Sequence, residues 1–278
     1  MKIVMTLLVR DAEDLIRQHI QYHLARGVDH FIITDNLSVD GTRDILEEFR
    51  KLGVAEIIDE KTDDYSQSQW VTRMARLAAT RHHADWVINS DDDEFWWPQS
   101  PTLQEALEGV PANQLALDVE RNDFIPTVSE SDHPLRRMLI RETQSKKEDG
   151  KRLRPKVIHR GISDAIVGQG NHRIQVSCPI DAETTRSIEI LHFPLRTYRQ
   201  FENKISKGGR AYSNNVILRD TNAGLHWKKY YQYYLAGSLQ QEYEKKKLPS
   251  ETLEKRLADG SLTEDSRLFD FLTARGIL

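Results

Sequence analysis

The chain has 278 residues, a formal net charge of −4 and 29% charged side chains. That length accommodates one large α/β domain with a smaller appendage, and the mildly acidic balance argues against a nucleic-acid binder, whose footprint is basic. The single cysteine, Cys178, excludes an internal disulfide and fits a reducing compartment.

Met1-Lys2 leads into a short apolar run that ends at Arg10-Asp11. No small-residue cleavage site follows, so no signal peptide is expected. No stretch is long enough to cross a bilayer. The expected location is the cytoplasm, with peripheral attachment to the inner face of the membrane left open.

Ile3 to Val9 reads as a first strand, followed by a helix with Leu15, Ile16, His19, Ile20, His23 and Leu24 at three- and four-residue spacing. His30 to Thr34 is a second strand. Ile45, Leu46, Phe49 and Leu52 mark a second helix, stopped by Gly53. Val54 to Ile58 is a third strand, Trp70, Met74, Leu77 and Ala78 line a third helix, and Trp86 to Ser90 is a fourth strand. This alternation predicts an α/β fold with a mostly parallel central sheet flanked by helices.

After Pro98 the pattern loosens. Leu103 to Leu107 reads as a short helix, Gln114 to Val119 as a strand, and residues 121–136 as a long loop. The basic run from Lys146 to Lys156 reads as exposed, and Ile188 to Phe193 as a strand. From Thr197 the chain turns helical, with Gly208-Gly209 as an interruption and Leu268, Phe269, Phe271 and Leu272 pinning a last helix. The expected division is a main domain over residues 1–212 and a helical C-terminal extension over 213–278.

The densest chemical signal is Asn89-Ser90-Asp91-Asp92-Asp93-Glu94-Phe95-Trp96-Trp97, four carboxylates at the end of an apolar strand. Open α/β sheets bind ligands at the carboxyl ends of their strands. A hard divalent cation, Mn²⁺ or Mg²⁺, shared with substrate phosphates would offset the repulsion among these acids. On extended backbone Asp91 and Asp93 would share one face as metal ligands, the alternative being a solvated acidic turn. His192, at the end of a later strand, is a candidate third ligand or an ordinary core histidine.

Asp35-Asn36-Leu37-Ser38-Val39-Asp40-Gly41-Thr42 lies between the second strand and second helix, where turn chemistry and nucleotide contact are equally good readings. Asp35 can accept from a uracil imide or a ribose hydroxyl. Thr6 and Arg10 reach the same edge, and Arg73 on the third helix is a further candidate. Lys156, His172, Arg196 and Lys204 form a scattered basic set able to oppose two phosphates.

These motifs resemble GT-A fold glycosyltransferases, close to the family 2 group and its family 92-like relatives. The resemblance is carried by the Asp35–Thr42 segment, by the Asp91-Asp92-Asp93-Glu94-Phe95 version of the DxD motif, and by Lys156-Val157-Ile158. It continues through Leu191-His192-Phe193-Pro194-Leu195-Arg196-Thr197-Tyr198 to Phe201-Glu202-Asn203-Lys204-Ile205 and Gly208. It covers roughly residues 1 to 210. Gly161 replaces the proline of the usual Lys-x-Ile-x-Arg-Pro pattern. A Trp-x-x-Phe-Gly segment common after the DxD has become Arg121-Asn122-Asp123-Phe124-Ile125.

The resemblance implies a metal-dependent transferase that uses a nucleoside diphosphate sugar, most simply a UDP-sugar. It further implies inversion at the anomeric carbon and a role in polysaccharide biosynthesis. The acceptor would be a glycan, a lipid-linked glycan or a small hydroxyl compound. Asp35 would hold the nucleotide, Asp91 and Asp93 the ribose and metal, and His192 would complete the metal or phosphate site. Glu120 and Asp123 follow a strand aimed at the cleft and are candidates for the base that takes the acceptor's proton. Competing readings are a nucleotidyltransferase acting on a sugar phosphate and a catalytically silent carbohydrate-binding protein.

Overall fold

The computed structural model describes residues 1–128, 132–147, 149–177, 180, 182–217, 221 and 224–278; Cys178 lies outside them. In chain order the elements are β1 (Ile3–Val9), α1 (Ile16–Ala25), β2 (His30–Asn36), α2 (Thr42–Lys51), β3 (Ala55–Glu60), α3 (Gln67–Thr80), β4 (Trp86–Ser90) and β5 (Glu94–Pro98). Next come α4 (Leu103–Glu108), β6 (Ala116–Val119), β7 (Arg121–Asp123), α5 (Pro134–Arg137), β8 (Ile140–Glu142), β9 (Lys156–Arg160), β10 (Ile166–Val167), β11 (Ile174–Gln175), β12 (Glu183–Thr184) and β13 (Ile188–His192). The C-terminal part is helical, with α6 (Tyr198–Asn214), α7 (Leu225–Leu235), α8 (Leu239–Glu244), α9 (Ser250–Ala258), β14 (Leu262–Glu264) and α10 (Arg267–Ala274). The chain forms two compact units. One comprises Met1–Lys61, Ser66–Arg121 and Lys146–His192, and the other Thr62–Tyr65, Asn122–Ser145 and Phe193–Leu278.

In the first unit a seven-stranded sheet runs β12-β6-β9-β4-β1-β2-β3. The pairs among β4, β1, β2 and β3 are parallel, and β9 alone runs against its neighbours β4 and β6. The sheet is therefore mixed but mostly parallel. Every residue of β1 but one is buried, because helices cover both of its faces. Ile3, Met5 and Leu7 pack with Ile16 and Ile20 of α1, Leu46 and Phe49 of α2 and Leu103 of α4. Val4 and Ile32 face Val71, Met74 and Ala78 of α3. Each such buried aliphatic side chain contributes about 1.5–3 kcal/mol.

Glu94–Pro98, for which the sequence carried no prediction, is a strand that pairs antiparallel with β13 in a separate small sheet. Two sequence expectations change in physical terms. Residues 121–136 include β7 and the start of α5. Lys156, read as the end of an exposed basic run, opens β9 and is 1% exposed. Gly161 fits where proline would not, since its N–H donates to the Asp85 carbonyl and a Cβ would lie 1.8 Å from the Ala84 carbonyl oxygen.

His159 on β9 is fully buried, and burial pushes its imidazole down to about 4. Its folded pKa lies below the unfolded value near 6.5, so its contribution is full above that pH. As pH falls from there towards 4, stability is lost at up to about 1.4 kcal/mol per pH unit. His159→Leu is expected to remove this one-proton slope. Urea unfolding of both proteins between about pH 7 and 4.5 checks it, and parallel profiles would refute it.

In the second unit, Phe201 and Ile205 of α6 pack with Tyr230 of α7 and with Leu239 and Tyr243 of α8. Gly208 and Gly209 do not interrupt α6, contrary to expectation. A Cβ on Gly208 would meet Trp227 at 2.3 Å, and one on Gly209 would meet Tyr231 at 2.5 Å. The pair is a seat for the aromatic face of α7. Leu268 and Leu272 bury α10 as expected, while Phe269 and Phe271 are half-buried.

Candidate functional site

Strands β1, β2 and β4 are mutually parallel neighbours, so their carboxyl ends share one edge of the sheet. That edge carries Asp35 on β2 and, just past β4, Asp91. Strand spacing puts their backbones about 10 Å apart across β1. On the face that packs on α3, this end of the sheet turns polar. Thr6 Oγ1 donates to Asn89 Oδ1 at 2.7 Å, and Thr34 lies two residues beyond Ile32 on the same face. Asn89 Nδ2, Thr34 Oγ1 and the Oδ1 of the nearby Asn171 are buried with no hydrogen-bond partner among the described residues. Buried polar atoms left this way are costly, and each suits a polar ligand.

The four acids form a turn, so the shared-face geometry expected for Asp91 and Asp93 on an extended strand is not what the chain adopts. The Glu94 N–H reaches back to the Asp91 carbonyl at 3.3 Å, and the Asp91 N–H donates to Glu94 Oε2 at 3.3 Å. The turn is braced from behind. Trp96 Nε1 donates to Ser90 Oγ at 2.9 Å, and His19 Nε2–H donates to the Glu94 carbonyl at 2.9 Å. Burial pushes His19 down to about 4, which keeps the brace neutral. His23 accepts the Trp96 N–H at 3.1 Å, so α1 fixes the first residues of β5 through two histidines.

Lys156 penetrates this acidic turn. Its ammonium lies 2.6 Å from Asp91 Oδ2 and 3.0 Å from Glu94 Oε1. Burial alone would push its pKa down, but the two carboxylates outweigh that and hold it above the usual lysine value. Asn171 Nδ2 donates to Asp91 Oδ1 at 3.3 Å, and Arg121 approaches Glu94 at 3.4 Å. Asp93 belongs to a different contact. Antiparallel pairing sets His192 opposite Glu94, and its Nε2 lies 3.5 Å from Asp93 Oδ1.

Among the described residues no three His, Cys, Asp or Glu side chains group as a ready metal site. The donor set still suits a hard cation held jointly with a diphosphate, since a carboxylate and an imidazole face each other at Asp93 and His192. Asp91 is engaged by Lys156 and Asn171.

The remaining candidates each have partners of their own. Asp35 accepts from the Ser38 N–H at 3.2 Å and lies 3.6 Å from Arg43, which also pairs with Asp59. Arg10 follows β1 at the same edge. Arg73 is ion-paired with Glu60 at 3.4 Å, at the end of β3. His172 donates from Nδ1 to the Pro155 carbonyl at 2.8 Å, and burial with the adjacent Lys156 charge pushes it down to about 4. Glu120 is exposed and paired with Arg152 at 3.0 Å. Asp123, Arg196 and Lys204 belong to the second unit. There the Asp123 N–H donates to Ser145, the buried Arg196 guanidinium donates to the Phe193 carbonyl, and Lys204 lies over the Trp227 ring.

Glu94, Arg43, Asn89 and Asn171 are the participants that sequence reasoning did not single out. Glu94 was visible as the fourth acid of the run. Asn171, held at φ 60° after Gly170, has no sequence signal that ties it to Asp91.

The pattern of glycosyltransferase family 92 matches residues 5–246 of the chain. No protein of curated function matches it in sequence. Among solved structures it is similar to Staphylococcus aureus TarS 1–349 in complex with UDP-GlcNAc, with TM-score 0.46 and 10% identity over 84% of this chain and 72% of that one. It is also similar to the mannosyltransferase PcManGT from Pyrobaculum calidifontis in complex with GDP-Man and Mn²⁺, with TM-score 0.43 and 14% identity over 93% and 79%. Glucosyl-3-phosphoglycerate synthase from Mycobacterium tuberculosis gives TM-score 0.30 and 23% identity over 43% of each chain. Scores at this level place no constraint on function.

Proposed function

Because the chain belongs to glycosyltransferase family 92, we propose that it transfers a sugar from a nucleoside diphosphate sugar to a hydroxyl acceptor, with the acidic turn as the donor site. The observation that carries this reading is the convergence of Asp35, Asp91 and Asp93 on one sheet edge, with His192 delivered to the same turn by β13.

UDP is the proposed nucleotide. The Asp35 carboxylate accepts the uracil imide N–H, while Thr6 and Asn89 offer further polar atoms to the nucleoside. Asp93 and His192 are the proposed metal ligands, and Asp91, with both oxygens already oriented, is assigned to the ribose. A bound Mn²⁺ or Mg²⁺ supplies positive charge against the departing diphosphate. His172, neutral at ordinary pH, serves as a hydrogen-bonding group rather than as a counter-charge. Arg10 is the proposed phosphate partner from the end of β1. Arg73 and Arg196 are assigned structural roles, because their guanidinium groups already serve Glu60 and Phe193. Lys204 is kept as a donor-binding proposal on the strength of the sequence motif alone.

Transfer by direct displacement inverts the anomeric carbon and needs a base for the acceptor hydroxyl. Glu120 and Asp123 are the proposed candidates, and Glu120→Gln and Asp123→Asn distinguish them. A screen of UDP-, GDP- and CMP-sugars, with metal and with excess chelator, tests the whole reading. Release of UDP from a UDP-sugar is expected only with metal. Full turnover in chelator, or preference for a GDP-sugar, would contradict it.

A further inference from the structure

We infer that Lys156 is a built-in counter-cation that keeps Asp91 and Glu94 from ligating a divalent ion, so that the cation enters only together with a nucleoside diphosphate. This rests on the reading of the acidic turn as the diphosphate site.

Four carboxylates in a row should attract a divalent ion without help from substrate. The turn is arranged against that. Lys156 reaches Asp91 Oδ2 and Glu94 Oε1 together, Asn171 takes Asp91 Oδ1, and the Asp91 N–H takes Glu94 Oε2. All four oxygens of these two acids therefore accept from protein donors. Asp93 faces His192 instead. One carboxylate and one imidazole make a weak site for a hard cation until phosphate oxygens complete the shell.

The Lys156 ammonium is already committed to Asp91 and Glu94. It acts through the acids it holds and is a positioning residue. Its place is dictated by topology. It is the first residue of β9, the strand that enters beside β4 from the opposite direction, so its side chain starts next to the point where β4 releases the acidic turn. A lysine at the far end of β9 would lie at the other edge of the sheet. Asn171 supplies an independent sign of a ligand. Its Oδ1 is buried without a partner among the described residues beside Asp91, an acceptor left for a donor group such as a hydroxyl.

The consequence is an order of events. With Asp91 and Glu94 engaged, metal alone meets an incomplete set of ligands in the turn, and the nucleotide brings the missing ones. This limits occupation of the site by free cations and ties loading of the metal to the presence of donor. Removing the lysine charge should reverse the order. Asp91 and Glu94 then need another cation, and a divalent ion satisfies both.

Calorimetric titration of Mn²⁺ into the wild type, Lys156→Met and the Glu94→Gln/Lys156→Met double variant, each with and without UDP, and into the wild type with GDP or CMP, tests this. The wild type is expected to bind Mn²⁺ measurably only when UDP is present. Lys156→Met is expected to bind Mn²⁺ without UDP about tenfold or more tightly than the wild type, because a positive charge within contact distance of the ligands has gone. A purely structural lysine would give no such gain. The double variant removes one buried acid as well, so it carries the same expectation if the single variant does not fold. Equal Mn²⁺ binding by the wild type with and without UDP, or no gain in either variant, would overturn the inference. Absence of Mn²⁺ binding even with UDP, GDP or CMP would instead overturn the nucleotide-site reading beneath it.

Discussion

Asp93→Asn is expected to lower sugar transfer by about a hundredfold to a thousandfold, the cost typical of removing one charge-stabilising group from a polar active site. Asp93 is 1% exposed and faces His192 from a turn whose backbone is held by other residues. Asparagine keeps the volume and a hydrogen-bonding oxygen but loses the charge, so the fold should survive. Release of nucleoside diphosphate at saturating donor and Mn²⁺, read beside a thermal melt, measures both quantities. A variant that keeps activity within about tenfold of the wild type, or that melts far below it, would argue against Asp93 as a metal ligand.

Trp96→Ala is expected to destabilise the first unit by about 3–5 kcal/mol, the range for truncating a large core aromatic. Trp96 is fully buried in the cluster beneath the sheet, and its indole N–H also fixes Ser90 at the start of the acidic turn. Trp96→Phe separates the two contributions. It keeps most of the packing and loses the hydrogen bond, at a cost of about 1 kcal/mol plus the unfilled volume. Urea denaturation of the three proteins gives the comparison. A loss below about 1 kcal/mol for the alanine variant would show that the cavity is refilled, against the close packing described above.

The parallel half of the fold was legible in the sequence because its strands are continuous apolar runs and its helices repeat at three- and four-residue spacing. Ile3–Val9, Trp70 with Met74, and Trp86–Ser90 are examples. The carboxyl-edge placement of Asp35 and Asp91 follows from that alternation alone. What the sequence could not convey is pairing between distant segments. Glu94–Pro98 resembles the flank of an acidic loop until β13 supplies its partner, and that pairing is what brings His192 to Asp93. Lys156 was misjudged for the same reason. It lies among Lys151, Arg152 and Arg154, which look solvated, and only the antiparallel entry of β9 beside β4 explains why it alone is buried. The tightly packed glycines of α6 are a third case, since Gly208-Gly209 reads as a break until Trp227 and Tyr231 occupy the space that side chains would have taken.

Hydrogen exchange at backbone amides, followed with and without saturating UDP and Mn²⁺, tests the location of the donor site most directly. Protection is expected to rise at the carboxyl ends of β1, β2 and β4, in residues 6–10, 34–38 and 89–95, and at His192. These segments are far apart in sequence and meet only at this edge of the sheet, so protection of all of them together has no other simple source. Saturating nucleotide that protects amides elsewhere and leaves these four segments unchanged would contradict the account.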